Sequence, residues 1–417
     1  MNKIHFIFAL LFTVGTAASA QVEPAATGPR NPLPSGDLSY SARYSQSAEF
    51  GSDIGNYQIS TLSGDVDYAN GNERHPFSLS YGGGYTWNIS GPGYAKGLFQ
   101  HLFVSQGFVW RKWNAMITED VTYTPEAPTT GFSGVAGSGE PIGVTNPSPP
   151  SSASILTVDT HVLNNVVMGT VTHQLDYARS LELGGSFGLL RFPDGNGIND
   201  NSDMAHAELS QRLNARNTLT GTYMFSAFTY PDYDFSLMVN TGMFGLTRVW
   251  TRKITTNVSA GPQWTESLNS TTPPPQVGVS VNASATYSYH FQTASVSYVR
   301  GINSGGGYLL GAESDSLSGS FSQDFGRNFT VGLTGSYRRT SGLGTDTQGQ
   351  SENESIGSEI GAIQATRHLG RYLTFFAGYT ALQQSSTSTV SGSVLNGLEQ
   401  IVNFGVGYSP REMHLKH

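Results

Sequence analysis

The most constraining feature of this chain is a long stretch in which apolar and polar residues alternate strictly. From Val277 to Phe291, one face collects Val, Ala, Tyr and Phe, and the other collects Gly, Ser, Asn, Thr and His. A period of two residues is typical of a β-strand with two different faces. Strands of soluble domains usually have about 5–6 residues, whereas a tilted strand needs about 9–11 to cross a bilayer. The stretch is therefore long enough to predict a membrane-spanning strand.

The same alternation recurs along most of the chain from Leu38 onward, and it predicts about 16–18 strands. Short turns, such as those at Arg216 and Arg252, alternate with longer polar segments, such as Pro193–Asp203 and Asn303–Glu313. In bacterial membrane barrels the short turns are periplasmic and the long loops are external. We therefore predict an all-β fold, a transmembrane antiparallel up-and-down β-barrel, in which segments such as Asn303–Glu313 are outer loops.

Composition agrees with this fold and excludes others. Charged residues are 12% of the chain and its mean hydropathy is -0.24, which is too few charges for a typical soluble surface and too polar for a bundle of membrane helices. A barrel explains both values, because only alternate residues of each strand face lipid. The chain has no cysteine, which excludes a disulfide scaffold and a thiolate metal site.

The chain divides into four segments. Residues 1–20 are predicted to be a cleaved signal peptide, with Lys3 before an apolar core and a small-residue site at Ala18-Ser19-Ala20. Residues 21–36 hold four prolines and are predicted to be a periplasmic tail. The barrel is predicted to span 37–409, and 410–417 is predicted to be a C-terminal tail.

With these features the chain resembles Gram-negative outer-membrane β-barrels, in particular porin-like barrels without an assigned function. The final strand carries Asn403, Gly405 and Tyr408, which resemble the polar, glycine and aromatic positions of the signal that the outer-membrane assembly machinery reads. The chain departs from that pattern because Ser409 to His417 follow the aromatic residue. Pro410 is expected to block extension of the ladder at this point.

Motifs typical of enzymes or metal sites have plainer interpretations here. Ser186 lies in a Gly-x-Ser-x-Gly pattern, but a nucleophile elbow needs a sharp turn, and alternation continues through the motif. The acidic loop Asp194–Asp203 could bind Ca²⁺, although it fails the EF-hand pattern and a solvated outer loop is favoured. The ten histidines show no metal-ligand spacing, and His290 is expected to face the lumen. The Trp110–Trp113 segment is interpreted as an interfacial anchor rather than a nucleic-acid patch. We therefore expect no enzyme, no metal and no cofactor.

The longest predicted loop follows the fifth strand. Residues 125–154 are dominated by Gly, Pro and Ser, and Glu126 and Glu140 are their only charges. In the general porins the third loop folds inward, and this segment occupies the same position. It is predicted either to narrow the pore, with Glu126 and Glu140 at the constriction, or to form an exposed lid; the sequence leaves both open.

The function expected from these features is passive diffusion of small hydrophilic solutes, because 16–18 strands leave an aqueous channel. The alternative is a structural or accessory barrel, for example in polysaccharide export. The expected partners are the bilayer with its lipopolysaccharide, the assembly machinery and the solutes, without nucleic acid. A homo-oligomer stays open. Val279, Val281, Val331, Leu333, Phe375 and Phe404 are expected to face lipid, and Asn282, Ser284, Thr334 and Ser336 to face the lumen.

Overall fold

The structure is a computed structural model. It describes residues 37–51, 55–70, 72–91, 97–126, 160–195, 197–268, 275–343, 355–386, 397–410 and 413–414. The segments predicted as a signal peptide and as a periplasmic tail lie outside these residues. In the part of the chain that the structure describes, no helix is long and apolar enough to span a membrane.

Eighteen long strands of 12–17 residues form one continuous antiparallel sheet. Each pairs with the next along the chain, so the topology is up-and-down, as predicted. The strands are β1 Asp37–Gly51, β2 Asn56–Ala69, β3 Phe77–Ser90, β4 Gly97–Val109, β5 Trp113–Glu126, β6 Thr160–Gln174, β7 Arg179–Arg191, β8 Asp200–Arg212, β9 Asn217–Tyr230, β10 Phe235–Thr251, β11 Ile254–Ser267, β12 Gln276–Tyr289, β13 Gln292–Asn303, β14 Ala312–Phe325, β15 Phe329–Gly342, β16 Ser355–Leu369, β17 Leu373–Ser386 and β18 Gly397–Tyr408.

The sheet closes on itself between its first and last long strands. β1 pairs with β18 over a register that runs from Ala42 opposite Tyr408 to Gly51 opposite Glu399. Closure removes both sheet edges, which otherwise present unpaired backbone groups. After Pro410 the chain resumes pairing as a two-residue strand, β19 (Met413–His414), which lies beside the start of β1. The segment predicted as a C-terminal tail therefore contains a strand.

Side chains alternate between an outward and an inward face, and cross-strand pairs carry this assignment around the barrel. The outward face exposes large apolar residues, such as Val279, Leu333, Phe375 and Phe404. Such exposure marks a surface that contacts lipid rather than water. Polar residues predicted to face the lumen lie on the opposite face: Asn282 pairs with Ser259, and Thr334 with Ser320.

The outward face becomes charged toward the end that carries the longer connections. Arg300 lies 2.9 Å from Glu313 and 3.4 Å from Asp315, all three on the outward face of β13 and β14. Below this group β14 exposes Leu317, Phe321 and Phe325. An apolar band of about 9–11 residues, with charges beyond it, fits a strand that crosses a bilayer.

Candidate functional site: the barrel lumen and its inward loop

The connection between β13 and β14, residues Ser304–Gly311, folds into the barrel; we call it the inward loop. Its residues Gly305–Gly311 are buried. The prediction that Asn303–Glu313 forms an exposed outer loop is therefore wrong. The physical reason is the run Tyr308-Leu309-Leu310, which gains free energy by leaving water. These three side chains belong to two apolar clusters with wall residues Val162, Leu190, Phe228, Leu237, Val239, Ala312 and Ile356.

Glycines allow the backbone conformation of the inward loop. Gly305, Gly306, Gly307 and Gly311 have φ angles of +88°, +62°, +82° and +73°. Side chains of L-residues are strained in this region, whereas glycine enters it freely. At Gly307 there is a second requirement, because a Cβ atom would overlap the ring of Phe192. The loop can therefore approach the wall this closely only with glycine at that position.

Hydrogen bonds hold the inward loop from three directions. The Tyr230 hydroxyl at the end of β9 donates to the carbonyl of Ser304 at 2.7 Å. The amide of Ile198, in the β7–β8 connection, donates to the carbonyl of Gly307 at 2.6 Å, and the amide of Leu343, after β15, donates to that of Gly311 at 3.0 Å. Buried backbone carbonyls need such partners. These hydrogen bonds therefore fix the loop inside the barrel.

One side of the lumen, the inward faces of β1–β8, carries carboxylates away from the inward loop. Arg43 lies 3.1 Å from Asp65, and the imidazole of His101 lies 3.2 Å from Asp120. Lumen-facing charges act on any ion that passes, since a narrow low-dielectric passage focuses their field. We call this group the acidic wall; its members are Asp65, Asp67, Asp120, Glu182 and Glu208.

Hydroxyl groups stabilise the acidic wall where no cation does so. The Ser80 hydroxyl donates to Asp67 at 2.6 Å, and the Thr222 hydroxyl donates to Glu208 at 3.0 Å. Each hydroxyl donor thus satisfies one of the acceptor oxygens of its carboxylate. Arg43 is the one arginine in the described ion pairs of these carboxylates, and Arg212 of β8 is the other arginine on the inward faces of β1–β8. Two arginines face five carboxylates, so this wall is negative overall.

The opposite side of the lumen, the inward faces of β9–β15, is a hydroxyl wall. Two pairs of hydroxyls bond across β13 and β14, Ser295 with Ser320 and Ser297 with Ser318, each at 2.7 Å. Among the described residues, the inward faces of β9–β13 carry no charged side chain. Two adjacent cross-strand rows consist wholly of Ser, Thr and Asn over β11–β15: Asn257, Ser284, Ser297, Ser318 and Ser336, and Thr255, Thr286, Ser295, Ser320 and Thr334.

The predicted constriction residues stay untested. Glu140 and most of residues 125–154 lie outside the described residues. Glu126 ends β5, where it pairs with Thr160 in the ladder, and its side chain is outside the description. The constriction by these two glutamates therefore remains a prediction, separate from the inward loop at β13–β14.

The residues predicted as an assembly signal lie in β18. Asn403 and Gly405 face the lumen, opposite Ser47 and Ser45 of β1. Gly405 has a local packing role, because a Cβ atom there would overlap the Phe376 ring. Tyr408 faces outward, with its ring centroid 6.3 Å from that of Tyr372. Their recognition by the assembly machinery remains a prediction.

The other candidate motifs do not come together as sites. Ser186 lies inside β7, opposite Met168 and Met204, without a turn. Asp194 bonds to the backbone amide and ring of His161, and this lowers the pKa of its carboxyl, with the ring hydrogen bond as the main cause. His290 lies in the β12–β13 turn with a φ of +49°, so the expectation that it faces the lumen is wrong.

The acidic wall and the inward loop of the lumen were not predicted from the sequence. Parity along β2 places Asp65 and Asp67 opposite to the exposed Leu62 and Val66, so alternation alone could have located part of the acidic wall. The signal for the inward loop was an apolar triplet inside a glycine-rich connection. Among the described residues, no group of three or more His, Asp or Glu side chains could hold a metal ion.

Comparison with known proteins gives likeness of fold. No protein-family profile and no curated protein matches the chain. Among solved structures, Pseudomonas aeruginosa OccK2 (OpdF) is similar, with 13% identity, a TM-score of 0.48, and coverage of 89% of this chain and 97% of that one. Acinetobacter baumannii OccAB4 is similar at 11% identity and a TM-score of 0.44, over 92% of this chain and 100% of that one. Likeness at this level adds nothing to the account of function, which rests on the lumen.

Proposed function

We propose that this protein is an outer-membrane channel through which small hydrophilic solutes diffuse passively. One observation carries the proposal. The closed 18-strand barrel exposes apolar side chains outward and lines its interior with hydroxyl, amide and carboxylate groups. An interior of this kind suits water, and barrels of 16–18 strands are wide enough to hold an aqueous passage.

The acidic wall gives this channel a preference for cations. Its carboxylates outnumber Arg43 and Arg212 on the same inward faces, and the opposite wall is neutral over β9–β13. Counter-ions therefore concentrate on one side of the passage. If residues 125–154 also fold inward, Glu126 and Glu140 add to the same preference at the constriction.

The proposed location follows from the same geometry. A closed barrel leaves no unpaired strand edge in lipid, which is the condition for crossing a bilayer with strands. Charges beyond the apolar band, such as Arg300 and Glu313, lie at the height of lipid headgroups. In the outer membrane the facing lipid on this side is lipopolysaccharide.

The test is conductance of the purified full-length protein in a planar bilayer, together with swelling of liposomes in glucose. Discrete conductance steps and glucose entry are expected. Folded, heat-modifiable protein that gives neither would contradict the proposal.

A second function has one observation in its favour. The inward loop places Tyr308, Leu309 and Leu310 in the barrel interior, and a plugged barrel is the form expected of a structural or accessory protein. The two functions separate when the loop is loosened. A channel conducts before and after, whereas a structural barrel conducts only after or in neither form.

A further inference from the structure

Arg338 is a buried cation on the lumen side of the barrel, and it differs from the other arginines of the strands. Arg338 is 7% exposed, and its Nε atom has no hydrogen-bond partner among the described residues. None of the ion pairs among the described residues includes it. By contrast, Arg43 on β1 lies 3.1 Å from Asp65, and Arg300 lies 2.9 Å from Glu313.

The surroundings of Arg338 are hydroxyl groups. It pairs across the ladder with Ser316 of β14 and Ser358 of β16, and Ser336 and Thr340 flank it on the same face of β15. Directly opposite neighbours in a sheet have Cβ atoms about 4.5–5.5 Å apart. All four nearest positions on this face are therefore Ser or Thr, which can donate hydrogen bonds to an anion.

The inward loop bounds this position on one side. Ile356, one residue pair beyond Ser358 on the inward face of β16, packs in the cluster with Tyr308 and Leu309. Ala312, opposite Gly342 of β15, belongs to the same cluster. Arg338 thus lies in the wall beside the loop, where a solute that passes the loop meets the wall.

We infer that Arg338 and the hydroxyls around it form a binding site for a small oxyanion, a phosphate or a carboxylate group. A buried charge without a partner is energetically costly, and a bound oxyanion offsets that cost. Guanidinium groups match these anions with two parallel hydrogen bonds. Since the site lies in the lumen, its use by solutes rests on the proposed channel function.

The neighbouring residue supplies a matched control. Arg339 follows Arg338 in the chain but lies on the outward face, opposite Asp315 and Gly357. Arg339→Gln therefore removes the same charge at nearly the same height without changing the lumen. Arg338→Gln removes the guanidinium group that binds the anion, and Arg338→Lys keeps the positive charge without the planar guanidinium.

The experiment titrates inorganic phosphate, and separately gluconate, against the full-length wild type and the three variants in planar bilayers at constant ionic strength. Saturable reduction of current is expected in the wild type and in Arg339→Gln. The apparent affinity should fall roughly 10- to 100-fold in Arg338→Gln, as for loss of a charged hydrogen bond, and less in Arg338→Lys. Gluconate block that is relieved at higher voltage identifies a solute in transit, and block by phosphate alone identifies a resident ion.

A second measurement covers the case in which a variant does not fold. Phosphate should raise the thermal unfolding temperature of the wild type relative to chloride at equal ionic strength, because a ligand that binds only the folded state stabilises it. Equal block in wild type and Arg338→Gln, or no phosphate effect on either current or unfolding temperature, would overturn the site. Conductance without anion block rejects the site and leaves the channel, whereas no conductance rejects the channel.

Discussion

The two walls of the lumen solve the same problem, a polar surface inside a closed barrel, in different ways. The acidic wall uses charges that neighbouring strands stabilise, as Ser80 does for Asp67. The hydroxyl wall uses neutral side chains that pair with each other, as Ser297 does with Ser318. In an 18-strand ring, β2 and β11 lie on opposite sides. The comparison shows that β2–β8 place carboxylates on the lumen whereas β9–β13 place no charged side chain there, so a solute can contact carboxylates and hydroxyls at once.

The inward loop connects these two walls. Its cluster includes Val162 and Leu190, from the inward faces of β6 and β7, together with Ala312 and Ile356 from β14 and β16. The apolar contact occupies the ends of the strands near the longer connections, and the polar rows lie beyond it. The walls therefore act on a solute on the other side of the loop.

The largest expected effect comes from comparing an arginine on the outward face of β15 with an arginine on its lumen face. Leu333 faces outward beside Phe321 and Ile363, whereas Thr334 faces the lumen. Leu333→Arg should lower the free energy of unfolding by about 2–4 kcal/mol, because a cation then faces lipid. Thr334→Arg should be tolerated and should reduce cation preference. Urea titration of the folded barrel in lipid measures the free energy of unfolding of both variants. Equal destabilisation would show that the faces are assigned wrongly.

The next largest effect is expected when the inward loop, which lies between the two walls, is displaced. Gly307→Ala adds a Cβ at a φ of +82° against the Phe192 ring. Strain of this kind costs about 1–3 kcal/mol, and we expect the loop to leave its position. Single-channel conductance should rise. Gly326→Ala is the control, since its φ is +71° and nothing lies near its Cβ; it should leave conductance unchanged. Unchanged conductance in both variants would mean that the loop does not limit the passage.

A smaller effect is expected from neutralising part of the acidic wall. Asp67 and Glu208 accept hydrogen bonds from hydroxyls, so Asp67→Asn with Glu208→Gln preserves polar contacts. A unit charge about 10 Å away in water contributes about 0.4 kcal/mol, so two charges change the local cation concentration about fourfold. Because the local anion concentration changes by the inverse factor, the cation-to-anion permeability ratio at low salt should fall by up to about 16-fold. A ratio that does not move would exclude the acidic wall as its source.

The smallest effect is expected when a carboxylate is added to the hydroxyl wall. Ser318→Asp puts one carboxylate on the hydroxyl wall, opposite Ser297 and Ser336. The cation-to-anion permeability ratio should rise by up to about fourfold at low salt, and the gain should shrink as salt screens the charge over about 10 Å at 0.1 M. Ser318→Ala serves as the uncharged control. A gain that persists at high salt would show a structural rather than an electrostatic change.

The sequence predicted the strands well because their signal is local. The alternation in Val277–Phe291 covers β12, and β12 ends at Tyr289, within two residues of the end of that stretch. Alternation also gave the correct faces for Asn282 and Leu333. Local period is sufficient here, since each strand has one lipid face and one lumen face along its whole length.

The sequence did not predict the inward loop or the role of Arg338, because both depend on distant partners. Leu309 is buried against Leu190 and Ile356, which lie far from it in the chain. Alternation already places Arg338 and Arg339 on opposite faces of β15, but only the structure shows that Arg338 is buried and that it lies opposite Ser316 and Ser358. Long-range contact, rather than local pattern, determines these features.

The reversal potential of the full-length protein under a potassium chloride gradient tests most directly whether the barrel is an open, cation-preferring channel. The carboxylates of the acidic wall outnumber the arginines on the same inward faces, so the reversal potential should lie toward the potassium equilibrium potential and move toward zero as salt rises. A reversal potential on the chloride side, or folded protein that passes no current, would contradict the account.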